Sequence, residues 1–454
     1  MFIGREQELQ QLANAFALQS AAVLLYGKRR VGKTTLIKQA LFQQTKPIVY
    51  YECIKGTMKD NISGFTQELV RLNILPVMVE FASFQDVFTY LDDRGENCII
   101  VIDEYPYLKS MTPGAAVDSA FQSIIDNHLS HIDLVLSGSH IGMMKEMLAE
   151  GNALYGRFGT VIRLRELSYR TADAFYSDKA PYDKLGFYSV FGGSPYVLQQ
   201  LQPHEDLRNN IIATVLNENS PVYLYAAHLL LSDYSNSMNA ERIFAALGNG
   251  NKRYSELEHQ LDANKTGNLA KQLKSLTALE LIQRTAPINK IGDTKKASYS
   301  INDNLLRFYF TYVYRNKGAL QMLGPEAFYD AYVAPTITGF ISHRFEDICR
   351  DFFSLQAKSG KLPGVRNIGS YYYDDPATKT NGEFDVALET EGGYTIFEVK
   401  YYHKPMSLGE MHQEIQQIRA IRELSVVGIG FVCTGGFTEK EAGIQYYTAE
   451  DLFA

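Results

Sequence analysis

Residues 27–35 read Gly27-Lys28-Arg29-Arg30-Val31-Gly32-Lys33-Thr34-Thr35, a G-x-x-x-x-G-K-T spacing. The glycines let the backbone curl so that successive N–H groups face one anion. A helix starting at the loop would add the positive end of its dipole. Lys33 would set a point charge on the outer phosphates of ATP, and the Thr34 hydroxyl could ligate Mg²⁺. Holding phosphates is not hydrolysis, which needs carboxylates nearby. CIIVIDE, residues 98–104, supplies two of them. Asp103 ends an apolar run and can reach Mg²⁺ through water, and Glu104 would polarise the attacking water. LVLSGSH, residues 134–140, ends in small polar residues, of which Ser137 or Ser139 could sense the γ-phosphate. Arg157 could read the same phosphate, in its own chain or across a subunit contact. The plain alternatives are loop serines and a surface ion-pair arginine.

A second constellation lies near the C-terminal end: Glu346 in FEDICRDFF, Asp385 in GEFDVAL, and Glu398 with Lys400 in IFEVK. In a strand, alternate residues share a face, so Glu398 and Lys400 point the same way, and Asp385 on an adjacent strand can meet them. Carboxylates with a strand carbonyl can hold Mg²⁺, while the lysine orients or deprotonates a water. That is the chemistry of phosphodiester cleavage. The bland alternative is the same fold without activity, used for docking.

The elements that must position these residues are legible. AAVLLYG, KPIVYYECI, CIIVIDEYPYL and HIDLVLSGSH are apolar runs alternating with helical stretches, which predicts a parallel α/β sheet. VIRLREL reads as a short strand, and Ser168 would cap the helix that follows it. Residues 180–230 read as mostly helical. From 235 to 310, three helices precede two short strands joined by a polar turn, the pattern of a winged helix-turn-helix. Leu269, Leu273, Leu276 and Leu279 form its apolar stripe, Thr266-Gly267 is a turn before it, and Lys290, Lys295 and Lys296 sit in the wing, where they could meet phosphates. Packing alone is the competing use of that element. Hydrophobic residues make up 46% of the 454, charged residues 21%, and the net charge of -7 excludes a uniformly basic nucleic-acid coat. Cys53, Cys98, Cys349 and Cys433 have no metal-ligand spacing and are expected to be reduced. A charged N-terminus and the lack of a run of ~20 apolar residues predict a soluble, cytoplasmic protein with no membrane segment.

FIGREQELQQL, GKRRVGKTT, IVIDEYPYL, LVLSGSH, YGRF with LREL, and GGSPYVL follow one another in that order. Over the first ~230 residues the chain resembles the archaeal-type ATPase family, one of the signal-transduction ATPases with numerous domains, related to the origin-recognition branch of AAA+ proteins. The resemblance implies that Gly193-Ser194-Pro195 lies in a helical lid and couples nucleotide state to the next domain; the residues alone give only a helix start at Pro195. Glu … Asp … Glu-x-Lys resembles the PD-(D/E)xK endonuclease-like superfamily, with Phe384-Asp385 in place of Pro-Asp, and Gln413 and Gln417 match a glutamine found there. The expected architecture is an α/β P-loop core at 1–165, a lid at 166–234, a winged helix at 235–310, a linker at 311–337 and a nuclease-like α/β domain at 338–454. The expected function is ATP binding and hydrolysis, with Mg²⁺, that controls a DNA-directed effector. The competing expectation is a nucleotide-gated switch whose last domain docks a partner. DNA and a second copy of the chain are the macromolecular partners this implies.

Overall fold

The computed structural model describes residues 2–18, 20–233, 238–262, 268–375, 380–422 and 424–454. The chain forms two compact units, Met1–Glu166 with Ser194–Tyr196, and Leu167–Gly193 with Val197–Ala454. In the first, β1 (Ala22–Tyr26), β2 (Ile48–Glu52), β3 (Cys98–Asp103), β4 (Ile132–Gly138) and β5 (Thr160–Arg163) make one parallel sheet in the order β2-β3-β4-β1-β5. β4 is thus inserted between the strand that feeds the glycine loop and the strand that ends in Asp103. Period-two alternation divides the side chains between two cores. Val23, Leu25, Val101 and Val135 meet Leu12 and Phe16 of α1 (Glu6–Ala17) and Leu36 and Ile37 of α2 (Lys33–Leu41). Leu24, Val49, Ile102 and Leu136 meet Phe65, Phe88 and Phe121 of α3 (Met58–Arg71), α4 (Phe84–Asp93) and α5 (Gly114–Asn127) on the other face. Burial on both faces explains why these strands read as unbroken apolar runs.

The second unit begins with helices, including Pro181–Phe191, Leu207–Ala213 and Pro221–Asp233. Ser168 caps its first helix by accepting from Thr171 N–H, as its sequence predicts. Helices Met238–Leu247, Tyr254–Gln260 and Asn268–Ala278 then combine with β6 (Lys252–Arg253), β7 (Ile282–Thr285) and β8 (Ser298–Ile301), an antiparallel sheet in the order β6-β8-β7. Leu269, Leu273 and Leu276 are buried as expected, and Thr266-Gly267 lie outside the described residues. The β7–β8 connection departs from expectation. Ile288 is buried in the core of the last domain, Asn289 exchanges two hydrogen bonds with the backbone of Tyr372, and Lys296 lies 3.7 Å over the Tyr372 ring. Lys290 and Lys295 stay exposed, but Lys296 is spent on an internal cation–π contact. The wing therefore docks within the chain rather than offering all three lysines to phosphates.

The remainder is a five-stranded mixed sheet, β13-β12-β11-β10-β9, made of β9 (Asn367–Asp375), β10 (Thr380–Thr390), β11 (Gly393–Lys400), β12 (Val426–Cys433) and β13 (Ile444–Tyr447). β9, β10 and β11 are antiparallel neighbours, and β11, β12 and β13 run parallel. Helix Ile337–Lys358 covers one face through Phe345, Ile348 and Phe352, and helix Leu408–Ala420 covers the other through Ile415 and Ile418.

Candidate functional sites

The first site forms at the C-terminal edge of the parallel sheet, where ligands of open α/β folds bind. β1 ends at Tyr26, the loop turns, and α2 starts at Lys33 behind Gly32, whose φ of 97° is open to glycine and strained for other residues. Gly27 has a different reason to be glycine: a Cβ there would lie 2.2 Å from the Leu164 carbonyl oxygen. Val31 turns its side chain into the core. Lys33 is buried, and its ammonium donates to the carbonyls of Gly27 and Lys28, both at 3.0 Å. Lys28 pairs with Glu166 at 3.2 Å, Arg29 donates to the Tyr107 hydroxyl at 3.0 Å, and Arg30 stacks 3.8 Å over the Tyr196 ring. Thr34 and Thr35 are exposed on the first turn of α2. The Thr34 hydroxyl donates to Asp103 Oδ2 at 3.1 Å, across the gap between β1 and β3. Glu104 follows in the left-handed region at φ 51°, and Ser139 donates to its carboxylate through Oγ (2.9 Å) and N–H (3.3 Å). Ser137 Oγ, in β4, is buried and meets no partner among the described residues. Arg157 is a correction. It precedes β5, so it sits at the opposite edge of the sheet from the loop, and it pairs there with Asp126 at 3.0 Å. It cannot read a phosphate bound in its own chain.

The second site is a half-buried acidic cluster in the last domain. The pairing of β10 with β9 shifts between Phe384 and Ala387, a bulge of the kind that re-aims side chains. Asp385 falls inside it. The β10–β11 register pairs Val386 with Phe397, which carries Asp385 to the level of Glu398. The Asp385 carboxyl is pushed up to about 8, first by burial and then by the charges of Glu346 and Glu398. Glu398 is also raised by burial, against the pull of Lys400. Lys400 sits between Glu398 (2.6 Å) and Glu414 (3.1 Å); burial would lower its ammonium, but these two carboxylates outweigh it and push it up. Lys400 is therefore charged, suited to orienting a water rather than taking its proton. Glu346 lies on the covering helix and meets His343 at 3.1 Å. Arg350 steadies the bulge by donating to the Asp385 carbonyl at 2.6 Å. Among the described residues, no three carboxylate, imidazole or thiol groups close into a metal cage.

Comparison with known proteins assigns part of the chain. Residues 2–201 match the model of an ATPase domain found predominantly in Archaea, and residues 309–415 match that of archaeal and bacterial proteins of unknown function. Residues 2–201 belong to the archaeal-type ATPase family. A curated relative, an uncharacterized protein of Methanocaldococcus jannaschii, is 28% identical over 375 residues, 80% of each chain. Among solved structures, a Walker-type ATPase of Pyrococcus abyssi matches with a TM-score of 0.51 at 17% identity, covering 68% of this chain and 96% of that one. That likeness concerns the fold.

Within the archaeal-type ATPase domain, three side chains escape a reading of spacing alone. Tyr50 donates its phenol to Asp103, and burial followed by the Asp103 charge pushes that phenol far up. Strand alternation sends Tyr51 instead to Asn61, at 3.1 Å. Arg5 joins Val31 O (3.3 Å) to Arg165 O (2.6 Å) and so staples the glycine loop to the chain after β5. Near Lys400, the partner on helix Leu408–Ala420 is Glu414; Gln413 is exposed, and Gln417 donates to the Tyr373 hydroxyl at 2.7 Å. A Lys-facing acid three residues before Gln417 gives no sequence signal distinct from a solvated face.

Proposed function

We propose that the archaeal-type ATPase domain binds and hydrolyses ATP, and that its nucleotide state controls metal-dependent phosphodiester cleavage by the C-terminal domain. The observation that carries the first half is the triad Thr34–Asp103–Glu104. Thr34 and Asp103 already meet across the sheet edge, an all-oxygen pair that fits Mg²⁺, and Glu104 stands beside them, oriented by Ser139. When bound, the metal neutralises the developing phosphate charge. Lys33 leaves the loop carbonyls for the outer phosphates, the loop N–H groups hold the chain of phosphates, and Glu104 aligns the attacking water. Ser139 positions Glu104 and sits where the γ-phosphate is sensed. The Gly193-Ser194-Pro195 segment supports a coupling role, because Ser194 reaches Arg30 O at 3.4 Å in the loop.

The second half rests on the acidic cluster. Asp385, Glu398 and Glu346 are half-buried carboxyl groups, and the charges of Glu346 and Glu398 help to hold a proton on Asp385 that a hard cation completed by waters would displace, a donor set that fits such an ion. Lys400 would then hold the water. A docking switch is the second reading, favoured by the open cage and by a wing bound within its own chain. Plasmid DNA incubated with Mg²⁺ or Mn²⁺, with and without ATP, and read on a gel separates the two: nicking or linearisation supports cleavage, and intact plasmid under every condition favours docking.

A further inference from the structure

Asp103 ends β3, and only 3% of it is exposed. A carboxylate taken out of water needs donors to replace it. Among the described residues, three donors reach this one. Oδ1 accepts from the Glu104 N–H at 2.9 Å. Oδ2 accepts from the Thr34 hydroxyl at 3.1 Å and from the Tyr50 phenol. Thr34 belongs to the phosphate loop and Glu104 to the carboxylate pair. Tyr50 comes from outside both, from the middle of β2 at the edge of the sheet.

The sheet explains the reach. β2 and β3 run parallel, with Tyr50 beside Val101 and Glu52 beside Asp103. Alternation turns Tyr50, Val101 and Asp103 toward the same face. Asp103 then lies two residues further along, roughly 6.6 Å at the rise of a strand. A phenol that leans along its strand spans that distance, and a serine or threonine there falls short. The ring is held independently of its hydroxyl. It packs with Ile48 on the core beneath α1 and α2, and the Lys38 ammonium lies 5.6 Å over its face. The adjacent Tyr51 takes the opposite face and gives its hydroxyl to Asn61 at 3.1 Å.

We infer that Tyr50 is a positioning residue of the ATPase site, whose phenol fixes the Asp103 carboxylate beside Thr34 for Mg²⁺. The inference rests on the ATP-binding reading above and adds to it a residue that neither motif contains. The Thr34 hydroxyl gives its proton to Asp103, which leaves the lone pairs of its oxygen for a cation. A carboxylate turns readily about its last torsion, where the energy wells are broad. With Tyr50 and Thr34 on one oxygen and the Glu104 N–H on the other, both oxygens of Asp103 are fixed. Mg²⁺ demands near-ideal octahedral geometry, so a carboxylate free to turn loses affinity for it. The phosphates are held by the loop N–H groups and Lys33, so metal-free nucleotide does not depend on Tyr50.

The test is a titration of a fluorescent ATP analogue with the full chain, in EDTA and then against increasing Mg²⁺, with the melting temperature of each variant. In the parent, affinity should rise with Mg²⁺. Tyr50→Phe should keep the affinity measured in EDTA and raise the Mg²⁺ concentration of half-effect about tenfold or more, the usual cost of losing a group that orients a metal ligand. Tyr51→Phe deletes the same hydroxyl one residue away, on the opposite face, and should leave both quantities at their parent values. An unchanged half-effect concentration in Tyr50→Phe, with the parent responding to Mg²⁺, overturns the inference and leaves the ATP-binding reading. A lower one overturns it as well, because the phenol would then be competing with the cation. Equal losses in EDTA and in Mg²⁺, together with a lower melting temperature, or the same shift from Tyr51→Phe, would make the hydroxyl a support of the strand and overturn the positioning role. A parent that binds the analogue equally with and without Mg²⁺, or not at all, removes the reading above and the inference with it.

Discussion

At the scale of single residues, the ATPase site depends on a few charges whose present partners are known. Lys33 spends its ammonium on two loop carbonyls, so its charge is already inside the loop and only has to turn to the phosphates. Lys33→Ala should abolish tight ATP binding. Calorimetry showing an unchanged dissociation constant would remove the phosphate-loop assignment. Glu104→Gln keeps the shape and both Ser139 donors while removing the base. ATP should still bind, and turnover should fall by ~10²-fold or more. Phosphate release at the parent rate would show that another group aligns the water. The spacing of Gly27, Gly32, Lys33, Asp103 and Glu104 was legible because backbone geometry ties those types to those positions. Tyr50 was not, because two adjacent tyrosines on a strand face opposite ways and only the pairing of β2 with β3 decides which one meets Asp103.

At the scale of elements, close backbone approaches set the tolerances. A Cβ at Gly27 would meet Leu164 O at 2.2 Å, and one at Gly193 would meet Leu167 O at 1.9 Å. Neither neighbour is a flexible side chain, so backbone must shift. Each glycine-to-alanine change should cost about 1–3 kcal/mol, the usual scale of overpacking, seen as a lower denaturant midpoint. Parents and variants with equal midpoints would mean the segments slide freely. The parallel strands could be read directly, since burial on both faces leaves an unbroken apolar run. β9 could not: Asn367, Gly369, Asp374 and Asp375 are poor strand formers, and that strand exists because β10 pairs along it and Ile288 packs on Gly369. The place of Lys296 was hidden for a related reason. Charge in a polar turn is visible in a sequence, but the Tyr372 ring that takes up Lys296 is 76 positions away, by the difference of their numbers.

At the scale of the whole molecule, the two chemistries are built from separate stretches of chain, which makes them separable by mutation. Asp385→Asn should weaken divalent-cation binding measured without DNA and should stop any cutting. ATP hydrolysis should continue, because its residues lie in the first unit. Loss of both activities together would mean that Asp385 supports the fold rather than a metal. One small contact has a larger reach than its size suggests. β9 is the outermost strand of its sheet, and such a rim is a template on which another chain can grow. The Asn289 amide occupies the N–H and C=O of Tyr372 as a single residue of a sixth strand would. Asn289→Ala should bare that pair of groups, and light scattering should then rise with protein concentration while the parent stays flat. On that outcome Asn289 is a stopper against polymerisation, keeping this edge of the sheet closed.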